Sequence, residues 1–421
     1  MSRLHARGLP EEAIRERARK GAAAIFPPED EYGRAVLGAD VISRITDDPL
    51  DRARLVPPVF MPRRLEKLID LAREPLFGDV DLETRIGGFD STLPVYVSAF
   101  GSTRVGTELA LSVGRQAGRL GIPMVVGENV APVHGARADS SLVNRLESYV
   151  EGLPAGRGGV VVQQSTEDAD AEVWNQLYSS PSATPLLESG RLGFELKVGQ
   201  GAKPGLGGMT LIGDADADRL TDRYAVGDPW GPESGLRLRG SSPGTFTEEI
   251  LHQQIRFTRN NFPRASIWVK LPPGRDVGHA SRVAWAAGAD AVTVDGAEGG
   301  SGWAPTVFLD RVGLPLGECL RRIGEPEGCL LASGRIWEAG RAVVALALGA
   351  RAVGLGRAAL IAVDEDPENG LINLVDALAM EARLLISALG VYSPDALSPE
   401  DVLLHSPSSL ARTSKEETRA L

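Results

Sequence analysis

Residues 329–357 read CLLASGRIWEAGRAVVALALGARAVGLGR and hold two short, mostly apolar runs, each of which ends in a turn of glycine and arginine. The run Cys329–Ala332 leads into the turn 333–335 (SGR), and the run Arg351–Val353 leads into the turn 354–357 (GLGR). About 20 residues separate the two turns, which is room for one helix and one strand. The stretch therefore predicts two consecutive strand–helix units of a parallel sheet.

Six further apolar runs precede this pair, and helical stretches and glycine-rich turns separate them. Eight such strands favour a TIM (β/α)8 barrel of the α/β class, with an open doubly wound sheet as the alternative. A barrel gathers its functional residues at the carboxyl ends of the strands, and the unusual residues of this chain follow the runs. The six runs are Pro94–Ser98, Pro123–Gly127, Gly159–Gln163, Gly193–Val198, Ser266–Leu271 and Ala291–Val294.

Two terminal segments flank the expected barrel of residues 86–395. Residues 1–85 read as an N-terminal helical extension, in which Pro62–Arg73 is one expected helix. Residues 396–421 are expected to form a polar C-terminal tail, because terminal polar segments are the parts of a domain that most often fray.

The connection Gln200–Arg264 after the fourth run is long for a link between two strands. It contains one good helical pattern, Thr247–Asn260, and is otherwise rich in glycine, proline and aspartate. Ordered loops beyond about 15 residues are usually functional, so we interpret this insertion as a lid or wall over the barrel mouth.

Composition limits the partners of the protein. The formal net charge of the 421 residues is −11, which disfavours binding to nucleic acid. The N-terminus has no apolar segment after its charges, and no stretch has the roughly 18 apolar residues of a membrane helix. We therefore expect a cytoplasmic protein that acts on a small molecule and does not contact a membrane. Formation of a homo-oligomer is compatible with the sequence. Cys319 and Cys329 fit no zinc or cluster spacing and are expected to be ordinary thiols, so no metal site is predicted.

The two glycine and arginine turns stand where barrel enzymes bind phosphate. In such barrels the loops after the seventh and eighth strands hold a phosphate through backbone N–H groups and a helix N-terminus. Arg357 can add a bidentate contact to the phosphate. Two ordinary barrel turns are the alternative interpretation. The candidate phosphate-site residues are Gly334, Arg335, Gly354, Gly356 and Arg357.

Two lysines interrupt apolar strands, Lys197 in GFELKVG and Lys270 in SIWVKLPP. A lysine in such a run either reaches solvent or points into a site, where its charge stabilises a carboxylate or a reduced flavin. Glycine-rich loops accompany these lysines: KVGQGAKPGLGG, which holds Gln200 and Lys203, and the stretch 295–302, DGAEGGSG. Glycine lets a backbone approach a ligand closely, so both loops are candidates for ligand contact.

Four segments carry a family resemblance: KVGQGAKPGLGG, VKL, ADAVTVDGAEGGSGWAP and GARAVGLGRAAL. They closely resemble the FMN-binding synthase domain of glutamate synthase and its shorter relatives, which include N-methylglutamate synthase. The likeness runs in order over residues 55–365. It implies FMN as the cofactor and an amino-acid or 2-oxo-acid substrate.

The resemblance assigns cofactor roles by position. Ser98, Ala99 and Gly101 match the loop beside the isoalloxazine ring, and Lys270 matches a lysine at that ring. Gln164, or its neighbour Gln163, matches a glutamine at the flavin pyrimidine. The cofactor residues expected besides the five of the phosphate site are Ser98, Ala99, Gly101, Gln164, Lys270, Asp295, Gly296, Gly299 and Gly300.

The resemblance also assigns the substrate side. Lys197, Gln200 and Lys203 match the loop near a 2-oxo acid, where the lysines would hold a carboxylate. Glu128, in VVGENV, matches an acid near the substrate and is the candidate acid or base. The catalytic candidates are therefore Lys270, Lys197 and Glu128.

The chain also departs from the family pattern. The stretch 359–385 lacks the three cysteines that hold the family's [3Fe–4S] cluster, so we expect no iron–sulfur cluster. No cysteine precedes Cys319, so none is present to act as the nucleophile that releases ammonia from glutamine. The stretch Gly240–Thr247 replaces a proline-rich stretch with tandem histidines, and Leu206 replaces a glutamate. The sequence therefore does not fix the substrate as 2-oxoglutarate.

Three functions are compatible with these observations. The leading hypothesis is an FMN-dependent oxidoreductase that transfers hydride between flavin N5 and the C–N carbon of an amino or imino acid. The electrons would come from NAD(P)H or from the substrate. A redox-neutral FMN enzyme of the diphosphate isomerase kind is the first alternative, with Arg335 and Arg341 as extra basic groups. A degenerate paralogue with a structural role is the second, although the retention of both core lysines argues against it.

Overall fold

The chain forms a closed barrel of eight parallel strands, as the apolar runs predicted, and the open-sheet alternative is wrong. The computed structural model describes residues 4–6, 8–25, 48–100, 104–127, 140–165, 172–199, 210–214, 217–218, 221, 224–229, 235–240, 242, 244–299 and 311–404. The strands in chain order are β1 (Arg54–Leu55), β2 (Thr84–Ile86), β3 (Phe89–Ser91), β4 (Val95–Phe100), β5 (Met124–Val126), β6 (Val160–Gln164), β7 (Leu192–Lys197), β8 (Thr210–Gly213), β9 (Ala225–Pro229), β10 (Leu236–Gly240), β11 (Ser266–Leu271), β12 (Ala291–Asp295), β13 (Leu330–Ser333), β14 (Ala352–Leu355) and β15 (Val402–Leu403).

The barrel strands follow one another around the ring in chain order, β4–β5–β6–β7–β11–β12–β13–β14, and β14 pairs with β4 to close it. Consecutive strand–helix units produce this simple order, because each helix returns the chain to the start of the next parallel strand. The helices are α1 (Glu11–Lys20), α2 (Pro49–Arg52), α3 (Pro62–Leu71), α4 (Arg104–Leu120), α5 (Ser140–Val150), α6 (Val173–Tyr178), α7 (Thr184–Glu188), α8 (Glu248–Asn261), α9 (Val277–Ala286), α10 (Leu316–Ile323), α11 (Ala339–Ala347), α12 (Arg357–Glu365) and α13 (Gly370–Ala388).

Alternation along each barrel strand divides the side chains between an inner and an outer face. Val161 and Trp268 belong to a small core inside the barrel, whereas Val160 and Val162 belong to the larger core between the strands and the helices. The inner position that follows Trp268 on β11 is Lys270. The interior therefore changes from apolar to charged towards the carboxyl ends of the strands.

A hairpin of β2 and β3 closes the amino end of the barrel. The Trp268 indole donates a hydrogen bond of 2.9 Å to the carbonyl oxygen of Gly87 in the hairpin turn. The Phe89 ring packs on Trp268 with a centroid separation of 5.7 Å. This apolar floor leaves the opposite, carboxyl end of the barrel as the place for a ligand.

The N-terminal extension lies against the last two helices of the barrel. Helix α1 packs on α12 and α13, and its Arg15 side chain is 3% exposed. Arg15 pairs with Asp364 at 2.8 Å and with Glu365 at 3.0 Å, both on α12. Leu9, which precedes α1, reaches the cavity described below. Besides its helices, the described part of residues 1–85 also contains β1 and the start of β2.

Two regions differ from the sequence-based expectation. Part of the insertion folds as a three-stranded antiparallel sheet in the order β8–β10–β9, where we expected irregular chain around one helix. The expected helix Thr247–Asn260 is present as α8 with Thr247 as its N-cap. The segment from residue 396 is not wholly a loose tail, because Leu403 and Val402 of β15 pair with β1. Residues 405–421 lie outside the described part of the chain.

The remaining general expectations concern membranes and thiols. No helix in the described ranges is long and apolar enough to cross a membrane. Cys319 is buried, Cys329 is half-buried and neither forms a disulfide. Burial raises the pKa of both thiols, that of Cys329 to about 11, which keeps them protonated and unreactive at neutral pH.

Candidate functional site

A cavity lies at the carboxyl ends of the barrel strands, on the side built by β4 and β11 to β14. Its wall combines inner-face side chains of these strands with the turns that follow β13 and β14. Lys270 and the turn 354–357 both line it. The two strongest signals in the sequence, the buried lysine and the glycine and arginine turns, therefore meet in one space.

One end of the cavity is suited to an anion. Gly356 is the N-cap of α12 and Arg357 is its first residue, so the N-terminus of a helix lies at the wall together with a guanidinium. Arg335 lines the same end in a left-handed conformation with φ 55°. Burial and the neighbouring charge of Arg335 lower the pKa of Arg357. Two cations held this close favour an anion between them.

The other part of the wall holds the buried lysine. Lys270 Nζ lies 2.7 Å from Asp295 Oδ2 on the neighbouring strand. Ser333, one strand further, donates a hydrogen bond to the other oxygen of Asp295. The buried Ser98 Oγ in the same wall lies beside the Tyr96 hydroxyl, and neither oxygen makes a well-directed hydrogen bond within the described residues. A buried hydroxyl without a partner is costly, so Ser98 is a position at which a ligand atom would complete the hydrogen bonding.

A polar layer lies inside the barrel beneath this wall. Gln163 Nε2 donates a hydrogen bond to Glu195, and Thr293 Oγ1 donates another to Glu195 at 2.8 Å. Thr293 is on β12, which is not a neighbour of β7 in the ring, so the bond crosses the interior and Glu195 points inward. Alternation then directs Lys197, which is 8% exposed, to the same face. It also places Gln163, rather than Gln164, on the inner side of β6.

A buried ionic cluster lies behind the anion site and joins the N-terminal segment to the barrel. Arg341 on α11 is 3% exposed and contacts three carboxyl groups. These are Asp48, Asp51 at 3.0 Å, and Glu298 in the loop after β12. Arg341 Nε also donates a hydrogen bond of 3.1 Å to the carbonyl oxygen of Gly334. The cluster therefore fixes the turn that carries the anion site.

The same cluster holds both arginines of the anion site. Arg335 pairs with Asp51, and Arg357 donates a hydrogen bond to the backbone carbonyl of Glu298. Ordered side chains lose less conformational entropy when a ligand arrives, so this support pre-organises the site.

Glu298 should make the stability of the protein depend on pH. Burial and the hydrogen bond with Asp48 raise the pKa of Glu298 from 4.5 to about 8. The folded protein then keeps a proton that the unfolded chain releases, so this group stabilises the fold most below pH 4.5 and loses that contribution as the pH rises towards 8. We expect the Tm of the wild type to fall between about pH 6 and pH 8, and Glu298→Gln to flatten this dependence in a thermal melt series.

Glu318→Gln is the matched control for this experiment. Arginines Arg321 and Arg322 hold the pKa of Glu318 at about 2, so it does not titrate in the same window. Its variant should keep the wild-type dependence of Tm on pH. Equal slopes for Glu298→Gln and Glu318→Gln would contradict the assignment.

The structure brings most of the sequence-derived candidates together. At the anion end, the cavity is lined by Gly334, Arg335, Gly354, Gly356 and Arg357. At the lysine end, it is lined by Ser98, Ala99, Lys270, Asp295 and Gly299.

Other candidates are not in that wall. Gly296 lies behind it, with its N–H donating to the carbonyl oxygen of Ser333 at 2.8 Å. Gln164 and Lys197 are buried at the carboxyl ends of β6 and β7 and do not line this cavity. The candidates Gly101, Glu128, Gln200, Lys203 and Gly300 lie outside the described residues, and so does Leu206.

Sequence reasoning missed several residues of this region. Ser333, Ile336 and Ala358 line the cavity and lie next to residues that were predicted. Glu195 is two residues before Lys197, so the two-residue period of a strand was the signal that could have identified it. Leu9 and Asp48 carry no local signal, because only the fold brings the N-terminal segment to the barrel.

The fold and the site together define a class: a (β/α)8-barrel protein with two arginines and a helix N-terminus after its last two strands and a buried lysine in the same cavity wall. The sequence model of the conserved region in glutamate synthase matches residues 135–365, more than half of the chain. The protein belongs to this glutamate synthase family.

Curated relatives match over different lengths. An archaeal-type glutamate synthase (NADPH) from Thermotoga sp. is 27% identical over 349 residues, 79% of this chain and 60% of that protein. One from Dehalococcoides mccartyi is 35% identical over 188 residues, 42% of this chain and 36% of that protein. The glutamate synthase large subunit-like protein of Rhizobium meliloti is 35% identical over 183 residues, 41% of this chain and 40% of that protein. The matched part thus spans 36–60% of these relatives.

Solved structures share the fold at low sequence identity. A mutant flavocytochrome b2 with sulfite bound has a TM-score of 0.56 at 19% identity, covering 94% of this chain and 83% of that chain. A soluble mutant of the membrane-associated (S)-mandelate dehydrogenase from Pseudomonas putida has a TM-score of 0.55 at 18% identity, covering 94% and 99%. These similarities support the TIM-barrel assignment.

Proposed function

We propose that the protein is an FMN-dependent oxidoreductase of the glutamate synthase family. The observation that carries the proposal is the single cavity lined both by the anion site at the turn 354–357 and by Lys270. FMN has a phosphate at one end and, at the other, a ring that becomes negatively charged on reduction. The unpartnered hydroxyl of Ser98 in the same wall supports a polar ligand at this position.

The reaction that we propose is hydride transfer at the C–N carbon of an amino or imino acid. When bound, FMN supplies this chemistry by exchanging a hydride at N5, and the hydride leaves one negative charge on the ring. Lys270 would stabilise that charge as a fixed ammonium, and Asp295 holds the ammonium in place at 2.7 Å.

The substrate side of the proposal rests on the family resemblance. Lys197, Gln200 and Lys203 would bind the carboxylate of the amino or imino acid. Glu128 would give or take the proton at the substrate nitrogen. The electron donor is either the amino acid itself or NADPH, for which the archaeal-type relatives are named.

Anaerobic mixing of the FMN-loaded protein with candidate donors tests this function. Flavin absorbance is followed after addition of NADPH, NADH or single amino acids. Bleaching by an amino acid supports the oxidative direction. Bleaching by NADPH, reversed by a 2-oxo acid with ammonia or methylamine, supports the reductive direction. A protein that binds FMN but is bleached by none of these compounds contradicts the redox assignment, and one without affinity for FMN contradicts the whole proposal.

Arg357 provides a test of the phosphate site that does not depend on the substrate. We expect Arg357→Met to weaken FMN binding by about 10- to 100-fold, because a hydrogen bond to a charged group contributes about 1.5–3 kcal/mol. Riboflavin, which lacks the phosphate, should bind the variant and the wild type equally well. Calorimetric titration with both flavins measures the difference.

Arg351→Met is the matched control for the phosphate experiment. Arg351 precedes β14 and is 41% exposed, paired with Asp395 on the surface. Loss of Arg351 should change neither the FMN affinity nor the riboflavin affinity. An equal loss of FMN and riboflavin binding in Arg357→Met would show that the arginine supports the fold rather than the phosphate.

The isomerase alternative is disfavoured by the ionic cluster. A diphosphate substrate needs basic groups beyond those for FMN, and the sequence offered Arg335 and Arg341. Arg341 is buried among three carboxyl groups, and Arg335 pairs with Asp51. The degenerate-paralogue alternative does not explain why the chain keeps the charged pair of Lys270 and Asp295 in the cavity wall.

A further inference from the structure

Glu195 is a buried carboxyl group at the centre of the barrel that the proposed function does not use. It is 1% exposed and lies level with Gln163 on one neighbouring strand and with Trp268 on the other. Trp268 belongs to the apolar floor, and Lys270, two residues further along the same strand, lines the cavity. Glu195 therefore lies level with Trp268 of the floor, one layer beneath Lys270.

Both oxygens of Glu195 accept hydrogen bonds from donors on other strands. Thr293 Oγ1 donates to Oε1 at 2.8 Å, and Gln163 Nε2 donates to Oε2. A carboxylate that only accepts is the form that suits these partners. The amide nitrogen of Gln163 is committed to Glu195, so its carbonyl oxygen is left for a partner on the other side.

The charges inside the barrel are coupled. Burial raises the pKa of Glu195, and the charge of Lys270 is the strongest influence against that rise. Lys270 also pairs with Asp295, so its ammonium contacts one acid directly and acts on Glu195 through space. A methionine or leucine would fill the same volume without burying a charge, so packing alone does not account for a carboxyl group here.

We propose that Glu195 is a positioning residue for the cofactor: it fixes the Gln163 amide and offsets the charge of Lys270, and thereby limits how strongly the pocket favours the reduced flavin. The inference rests on the proposed FMN function. The inference adds to that function a residue, Glu195, that sets the balance of charge beneath the flavin ring. Removal of its negative charge leaves Lys270 less compensated, so an anionic reduced ring gains stability.

The test is the reduction potential of FMN bound to Glu195→Gln, measured with dithionite and reference dyes and without any substrate. We expect the equilibrium to shift at least tenfold towards reduced flavin, which is about 30 mV for a two-electron couple. Glu195→Asp keeps the charge, and its equilibrium should stay within about threefold of the wild type. The spectrum and the dissociation constant of oxidised FMN are recorded for each variant.

Glu338→Gln is the matched control for burying an amide in place of a carboxyl. Glu338 is a half-buried glutamate that caps helix α11 by accepting from the N–H groups of Gly340 and Arg341. Its variant should lose stability and keep the wild-type potential. Thr293→Val is the substitute if Glu195→Gln does not fold, because it removes one donor to the carboxylate and should shift the potential in the same direction, by less.

Three results would overturn the inference. The first is a wild-type potential in Glu195→Gln, and the second is an equal shift in Glu195→Asp, which would indicate packing. The third applies if Glu195→Gln does not fold, and it is a wild-type potential in Thr293→Val. Each result is obtained on protein that binds FMN, so it leaves the proposed function intact. Failure of the wild type to bind FMN would instead remove the proposed function itself.

Discussion

Replacement of Lys270 by methionine should slow reduction of the bound flavin by about 100- to 1,000-fold, the loss typical when one fixed electrostatic contact to a developing charge is removed. Methionine keeps most of the side-chain volume and removes the ammonium. Lys270 is 5% exposed and lines the cavity, so water cannot replace its charge effectively. Anaerobic stopped-flow measurement with the donor that reduces the wild type gives the rate directly.

The charge of Lys270 has to be separated from its contribution to the fold. Its loss leaves Asp295 buried without a counter-ion, and a broken buried pair typically costs about 3–5 kcal/mol. The double variant Lys270→Met with Asp295→Asn restores neutrality and should be as slow as the single variant but more stable. Lys270→Arg should retain part of the rate because it keeps the charge. A double variant that reduces flavin at the wild-type rate would contradict the role of Lys270.

The barrel could be predicted from the sequence because its signals are local. Each strand is a short apolar run such as Pro94–Ser98, followed by a turn and a helical stretch, and these units repeat along the chain. The structure contains a barrel strand at every one of the eight runs. The sheet of β8, β9 and β10 was not predicted, because its strands are short and separated by a stretch rich in glycine, proline and aspartate, in which only residues 236–239 (LRLR) show the alternation of a strand. The pairing of β1 with β15 joins residues almost 350 positions apart and has no local signal.

The candidate site likewise has some parts with a local sequence signal and other parts without one. Glycines next to arginines after a strand, as at Gly356 and Arg357, are visible in the sequence and mark the end of the cavity suited to an anion. The supporting cluster is not visible, because Asp48 and Arg341 are single charges in separate segments and only the fold makes them partners. Glu195 lies between the two cases. Its inward direction follows from the strand period, but its partners Gln163 and Thr293 are on other strands.

Gly354→Ala is expected to damage both the fold and the cofactor site. A Cβ at this position would lie 2.1 Å from Ser98 Oγ and 2.6 Å from Tyr96 Cζ. Tyr96 is 1% exposed and packs edge-on against Trp268, so it cannot retreat, and the strain falls on the cavity wall. Overpacking of this kind costs about 1–3 kcal/mol. We expect a lower Tm and FMN affinity reduced by at least about tenfold, measured by thermal melts and FMN titration.

Gly356→Ala separates the effect on packing from the effect on ligand binding. It is the same substitution as Gly354→Ala, two residues further along the chain and in a different environment. Among the described residues, its added Cβ would have only Ser98 Cβ within 4.0 Å, so this part of the fold has room for it. Both glycines line the cavity, and at Gly356 the new methyl group would meet no described atom closer than 4.0 Å. The Tm should therefore stay at the wild-type value while FMN affinity falls, because the methyl group takes space that the phosphate would need. Unchanged FMN affinity in Gly356→Ala would mean that no phosphate lies against this turn, and an unchanged Tm in Gly354→Ala would mean that the wall around Ser98 and Tyr96 is not packed as described.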